Sequence, residues 1–404
     1  MIKIGILKEG KIPVDRRVAI TPEQAKKIQE THPEVSLVCA HSDIRCFSDQ
    51  DYIDLNIPLT DDVSDCDILF GVKEVPIAAL IPNKTYFFFS HTIKKQAYNR
   101  TLLQTILDKN ITLIDYETLT NTDGQRIIAF GRYAGIVGAY NALWTYGKRY
   151  NLFDIRRAHE CFDLDDLKTE FNLIKLPKIK IVITGGGRVA KGAMEIMNQV
   201  GIRRVSPHQF ITQLFDEPVY CQLNNRDYHK HKNEDKVFNR AEFFQSPEDF
   251  ESDFAPYAQV ADILIACAFW NPKAPVLFTR EDMTQRNFSI KVIADVTCDI
   301  EGSIPSTLQP ATIDDPIYDY DPTQGILAPP LSDEGNVTVM AVDNLPCELP
   351  RNASTDFGKE LLNNVLPNLI GEDKGGIIER ATIAKGGHLT EKYSYLQDYV
   401  DGRD

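Results

Sequence analysis

Lys180-Ile181-Val182-Ile183-Thr184 runs directly into Gly185-Gly186-Gly187-Arg188-Val189-Ala190-Lys191-Gly192-Ala193, and no other stretch limits the fold so narrowly. The first five residues read as a buried strand. After the glycines, Val189, Ala193, Ile196, Met197 and Val200 recur at the three-to-four spacing of an apolar helix face. Strand, glycine turn and helix together open a βαβ unit that binds a dinucleotide. Glycine is needed because the turn takes dihedrals that a Cβ disfavours and because a pyrophosphate must come close to the backbone. The helix that follows offers unpaired N–H groups and the positive end of its dipole. Ala190 stands where the third glycine of the fingerprint falls, a replacement the pattern allows, and Gly192 keeps helix and strand close. Gly185, Gly187, Arg188 and Val189 are the expected cofactor contacts, and a merely tight structural turn is the alternative.

A chain of 404 residues with 43% hydrophobic content can bury more than one core, and two domains are the natural count. Short apolar runs at Ile2–Leu7, Val35–Val38, Ile68–Val72, Thr85–Phe89 and Ile111–Ile114 alternate with helix-like stretches. That alternation predicts a parallel sheet covered on both faces. Thr21-Pro22-Glu23-Gln24 has the cap, the early proline and the capping-box glutamine of a helix start. The small residues at 131, 134, 135, 138 and 139 predict a closely packed helix over 133–146, open to packing within the chain or against a second copy, so monomer and homo-oligomer both stay open. The expected fold class is α/β, two Rossmann-like domains with a cleft between them. Residues 1–135, completed by 335–404, would form a substrate and catalytic domain, and 136–334 the dinucleotide-binding one.

In an open parallel sheet the carboxyl ends of the strands line one crevice, where ligands bind. Lys73-Glu74 closes the Phe70-Gly71-Val72 strand, His91 closes the Tyr86–Phe89 strand, and Asp115 and Glu117 close the Leu113-Ile114 strand. A lysine, a histidine and several acids are thereby predicted to converge. In the nucleotide domain, Gly201–Val205 reads as the second strand, after which an acid for the ribose is expected. Ser206-Pro207-His208 stands there instead, which makes Ser206 the expected ribose-side residue. Without an acid to repel a phosphate, Arg203, Arg204 or His208 can meet a 2′-phosphate, or the arginines are simply solvated. The expected cofactor is NADP or NAD, with NADP preferred. Asp262–Ala268 and Val292–Val296 read as further strands, with Asp299 just past the second. Residues 305–332 read as loop, and Val337–Val342 as a late strand.

A formal charge of −14 repels nucleic acid, so no nucleic-acid partner is expected. No run has the length to span a bilayer, and charges throughout residues 1–20 leave no signal-peptide core. The eight cysteines form no C-x-x-C pair and predict reduced thiols in a cytoplasm. His229-x-His231 reads as a solvated, charged loop, and no metal site is expected.

Longer motifs carry a resemblance. Arg16–Pro22, Gly71–Glu74, Phe88–Lys94, Leu113–Glu117, Ala129–Gly135, Gly185–Ala193, Asp295–Ile304 and Val342–Ala353, in this order and spacing, resemble the lysine-forming saccharopine dehydrogenases and the lysine–ketoglutarate reductase domain of bifunctional synthases. The wider family includes alanine dehydrogenase and the nucleotide-binding part of transhydrogenase. The chain departs from the reductase domain at Gly186-Gly187-Arg188 and at Glu74. At Lys73-Glu74 it looks more like the fungal monofunctional enzymes.

The resemblance implies that lysine and 2-oxoglutarate condense, lose water and are reduced by a dihydronicotinamide to saccharopine, reversibly. It implies Lys73 and His91 as the acid–base pair, facing the nicotinamide, with Glu74 and Glu117 tuning them. Arg17, Lys94 and Arg126 would meet substrate carboxylates, and Asp299 would lie near the nicotinamide. A lysine among cations and partly desolvated can have its pKa pulled toward neutrality, which makes it a usable base. The alternatives are an alanine dehydrogenase-like or other amino- or imino-acid dehydrogenase, and a non-catalytic dinucleotide-binding protein.

Overall fold

The computed structural model describes residues 1–403, which divide into two compact units, one of Met1–Phe130 with the described residues from Pro350 onward and the other of Gly131–Leu349. In the first, β1 (Ile2–Ile6), β2 (Val35–Ala40), β3 (Leu59–Thr60), β4 (Ile68–Phe70), β5 (Thr85–Phe88) and β6 (Thr112–Asp115) all run parallel. Apolar side chains alternate across this sheet. Ile4, Ile6, Phe70 and Phe87 enter the core on one face, and Leu69, Tyr86, Phe88 and Leu113 the core on the other. Sequence runs without polar interruption are the result, as two-sided burial requires. The Pro22–Thr31 helix is capped as its sequence predicts, with Thr21 and Gln24 forming a complete capping box.

The second unit is built on β7 (Lys180–Thr184), β8 (Arg203–Arg204), β9 (Val219–Leu223), β10 (His229–His231), β11 (Phe250–Ser252), β12 (Ile263–Ala266), β13 (Val292–Asp295), β14 (Ile317–Asp321), β15 (Ile326–Ala328) and β16 (Val337–Met340). Its eight-stranded sheet has the order β15-β14-β16-β13-β12-β7-β9-β8. The Gly131–Tyr150 helix lies in this unit and packs on the Arg188–Val200 helix. Their backbones touch at reciprocal glycines. A Cβ at Gly135 would stand 1.8 Å from the Val189 carbonyl oxygen, and one at Gly192 would stand 2.0 Å from that of Arg132.

The chain then returns to the first sheet, where β17 (Thr382–Lys385) lies antiparallel on β6 and β18 (His388–Leu389) pairs with β17. The Pro350–Glu360 helix also joins the first unit, with Phe357 in its core.

Four sequence readings are corrected. The chain passes from one unit to the other at Phe130/Gly131 and Leu349/Pro350 rather than at 135 and 335; the later crossing moves because β16 pairs in parallel with β13 and so belongs to the second sheet. The strand beside β7 is β9, and the predicted second strand shrinks to the two-residue β8 at the sheet edge. Residues 305–332 contain β14, antiparallel to β16, whose Asp319 is buried and bonded to Thr338 and Ser332. His229–His231 is a strand paired with β11 rather than a solvated loop. His229 is buried against Tyr228 and Phe243, and burial pushes its imidazole down to about 4.

Candidate functional site

The carboxyl ends of β4, β5 and β6 bring most of the predicted residues of the first unit together. His91 sits in the left-handed region at φ 54°, and its ring stacks on Phe89. Its Nδ1 is 3.4 Å from Glu117 Oε2 and its Nε2 is 3.8 Å from Glu74 Oε1. Glu74 takes Lys11 Nζ on its other oxygen at 2.7 Å, and Glu117 takes Arg126 Nη2 at 2.8 Å, with Lys94 Nζ at 3.9 Å. A line of ionisable groups therefore runs from Lys11 through Glu74, the His91 ring and Glu117 to Arg126 and Lys94. Burial raises the Glu117 carboxyl, but the hydrogen bond to His91 and the charges of Lys94 and Arg126 outweigh it and hold the group down at about 2.

Arg17 is buried and clamped by Asp15, with Nε on Oδ1 at 3.0 Å and Nη2 on Oδ2 at 2.6 Å. Its guanidinium lies 4.1 Å from the ring centre of Phe130, which stacks on Phe357 of the returning helix. Burial lowers the half-buried Lys73 ammonium, the Arg17 charge lowers it further, and Asp15 opposes them.

Two further carboxylates, Glu9 and Asp115, fasten this edge by gripping backbone N–H groups. Glu9 accepts the backbone N–H of Val72 at 2.7 Å and of Lys73 at 2.8 Å. Burial and the neighbouring Asp15 raise it to about 7, although those N–H groups pull the other way. Asp115, fully buried, accepts the N–H of Ser90 at 2.9 Å and of Glu117 at 2.7 Å. It thereby ties the segment before His91 to the one carrying Glu117. The only sequence cue for either is an acid one or two residues past a strand, which solvated loops share.

Glu117 has a consequence that can be measured. Its folded-state pKa lies below its ordinary 4.5, so its stabilising contribution is present above pH 4.5 and is lost as pH falls toward 2. Glu117→Gln is expected to lower unfolding stability at neutral pH by up to about 3 kcal/mol, a deficit that shrinks toward pH 2. Urea titrations of both proteins across that range check this, and a pH-independent deficit would refute it.

In the second unit, Gly185 has φ +94°, and a Cβ there would sit 3.1 Å from the Ala268 backbone. A Cβ at Gly187 would meet nothing within 4 Å. Gly187 precedes the thirteen-residue Arg188–Val200 helix with no side chain capping it. A turn closed to side chains behind and open in front fits a pyrophosphate. β7, β12 and β13 are parallel neighbours, which places Asp299, exposed past β13, at the same end of the sheet as the turn. Buried Asp295 anchors that loop by accepting from Thr297 Oγ1 at 2.6 Å and Thr307 Oγ1 at 2.7 Å. A small cavity also opens there, lined by Thr184, Tyr228, Phe243, Ala268 and Trp270.

Ser206 is displaced from the expected ribose position. It lies beyond β8, and its hydroxyl accepts Gln209 N–H to cap a short helix. The strand end next to the glycine turn belongs to β9 and leads into Asn224. Among the described residues, no group of three or more His, Cys, Asp or Glu is placed to hold a metal ion, and no helix is long and apolar enough to cross a membrane.

Residues 5–137 match the family model described as Alanine dehydrogenase/PNT, N-terminal domain, and residues 172–392 match Alanine dehydrogenase/PNT, C-terminal domain. The chain is similar to the mitochondrial alpha-aminoadipic semialdehyde synthase of Bos taurus, at 30% identity across 96% of this chain and 47% of that protein. It thus spans about half the length of that relative. It is 26% identical to the saccharopine dehydrogenase (NAD(+), L-lysine-forming) of Yarrowia lipolytica, across 90% of this chain and 92% of the other. Among solved structures, an L-alanine dehydrogenase superposes with a TM-score of 0.64 at 17% identity, covering 100% of both chains. The transhydrogenase from Sinorhizobium meliloti gives 0.60 at 15%, covering 96% of this chain and 98% of that one. At such identities these two establish a shared fold. With both of its parts matched by the family models, the chain belongs to the alanine dehydrogenase/PNT family of NAD(P)-dependent oxidoreductases.

Proposed function

We propose that this chain is an amino- or imino-acid dehydrogenase, and specifically a lysine-forming saccharopine dehydrogenase that joins lysine to 2-oxoglutarate and reduces the resulting imine, reversibly. The observation that carries this is the half-buried Lys73, its pKa lowered by burial, next in sequence to Glu74, whose Oε1 lies 3.8 Å from a His91 ring that Glu117 bonds at 3.4 Å. A lysine that burial makes easier to deprotonate and a histidine are the kinds of group that proton transfer during imine formation and loss of water requires.

Lys73 takes a proton from the incoming ε-ammonium so that the amine can attack the keto carbon. His91, oriented by Glu74 and Glu117, protonates the departing hydroxyl so that water leaves. When bound, a dihydronicotinamide supplies the hydride that reduces the imine carbon. Lys94 and Arg126, with side chains 48% and 41% exposed, keep an open side for substrate carboxylates, and buried Arg17 offers a third cation. Gly185, Gly187, Arg188 and Val189 would hold the pyrophosphate, and Asp299, past β13 at the same end of the sheet, would lie near the nicotinamide.

NADP(H) is the preferred cofactor in this reading. The setting is a reducing cytoplasm, which the eight free cysteines support, seven of them buried.

The test is NAD(P)H consumption by the purified chain with lysine plus 2-oxoglutarate against pyruvate plus ammonia. Turnover of the first pair is expected. Turnover of the second alone makes the chain an alanine dehydrogenase, and dinucleotide binding without turnover of either makes it a binding protein.

A further inference from the structure

We infer that the carboxyl end of β9 is the cofactor-selecting site, where Asn224, linked to Arg204 through Gln222, receives a dinucleotide carrying a 2′-phosphate. This deepens the reading above and rests on its NADP(H) preference. The strand that neighbours the nucleotide strand ends where an acid ordinarily bonds the ribose hydroxyls and turns a phosphate away. β9 is that neighbour, in register with β7 from Lys180 opposite Val219 to Thr184 opposite Leu223, and the residue that follows it is an asparagine.

The Asn224 side chain lies against the turn, since a Cβ on Gly186 would come within 2.6 Å of its Oδ1. Gln222 Nε2 donates to the Gly185 carbonyl at 2.8 Å and to Asn224 Oδ1 at 3.1 Å, and Gln222 Oε1 accepts Arg204 Nη2 at 2.8 Å. One guanidinium and two amides therefore stand in line where a carboxylate would discriminate. The nearby carboxylate, Asp227, is occupied by the backbone N–H of Asn224 at 2.7 Å and by Arg226 Nε at 3.7 Å. Arg226 has a side chain 74% exposed and brings a second guanidinium two residues from Asn224. Arg203 is excluded from this role because Glu217 holds it at 2.6 Å. A phosphate dianion bonds guanidinium in charge-assisted pairs. A ribose hydroxyl gains nothing comparable from the same groups.

The test measures binding rather than turnover. NADPH and NADH are titrated against the full chain without substrates, following dihydronicotinamide fluorescence, and adenosine 2′,5′-bisphosphate is titrated by calorimetry. Wild type is expected to bind NADPH more tightly than NADH. Arg204→Ala should weaken NADPH and the bisphosphate about tenfold while leaving NADH nearly unchanged, the size of one lost charge-assisted bond. Asn224→Asp should reverse the ratio toward NADH, and thermal melts confirm that both variants are folded. Equal or tighter binding of NADH by wild type, or variants that weaken both dinucleotides alike, overturns this inference while leaving the enzymatic reading intact. A folded wild type that binds neither dinucleotide overturns both.

Discussion

Lys73→Met is expected to bind NADPH as tightly as the wild-type chain and to turn over lysine with 2-oxoglutarate about 10²- to 10⁴-fold more slowly, the ordinary contribution of a positioned acid–base group. Cofactor binding is spared because the glycine turn and the helix after it are built entirely from residues 180–200 of the second unit. The fold is spared because Lys73 is held by its backbone, through the bond from its N–H to Glu9, and methionine keeps that N–H and a similar length. Removing the ammonium also removes a charge that burial disfavours, so no loss of stability is expected. What disappears is the limb of the pH–rate profile that reports Lys73 giving up its proton. Lys73→Arg should be slow as well, since a guanidinium does not release a proton in this range. Stopped-flow measurement at saturating substrate separates the chemical step from product release, and full activity in Lys73→Met would remove Lys73 from the mechanism.

The other large effect belongs to the helix pair beneath the nucleotide turn. Gly135→Ala is expected to destabilise the second unit by about 3 kcal/mol or more, at the upper end of overpacking costs. Its Cβ would stand 1.8 Å from the Val189 oxygen, 2.8 Å from the Val189 carbonyl carbon and 2.9 Å from Ala193 N. All three are backbone atoms, so no rotamer change relieves the clash and one helix must move bodily. The helix that would move starts at Arg188, directly after the glycine turn, so dinucleotide affinity should fall together with stability. Gly131→Ala is the matched control. Its Cβ would make ordinary contacts of 3.4 Å with the side chains of Arg188 and Val189, and it should melt close to wild type. Overlapping melting curves for Gly135→Ala and wild type would mean that the two helices stand further apart than described.

The parts legible in the sequence are those whose signal is local. β7 and the helix after it stand where hydrophobic spacing puts them, and Ala193, Ile196 and Met197 are buried as their spacing predicts. The Thr21 capping box is encoded in four consecutive residues. The convergence of Lys73, Glu74, His91 and Glu117 at one edge follows from a rule that needs only strand ends and parallel order.

Other elements were hidden by their polar residues. The aspartates of β14 mask its alternation because Asp319 is buried with bonded partners, and the histidines of β10 resemble a polar loop until Tyr228 and Phe243 cover one of them. By itself, then, the sequence determined the glycine turn, the runs that become strands and the chemistry at their ends, because each is written in neighbours along the chain. Only the tertiary structure decided that β9 rather than β8 lies beside β7, which puts Asn224 rather than Ser206 after the strand end next to the glycine turn, and that Glu9 and Asp115 grip the backbone at Lys73 and Glu117. Hydrogen bonds between segments more than sixty residues apart, such as that from Lys73 to Glu9, leave no period in the sequence, and burial, neighbouring charges and backbone N–H groups together set the state of such a carboxylate.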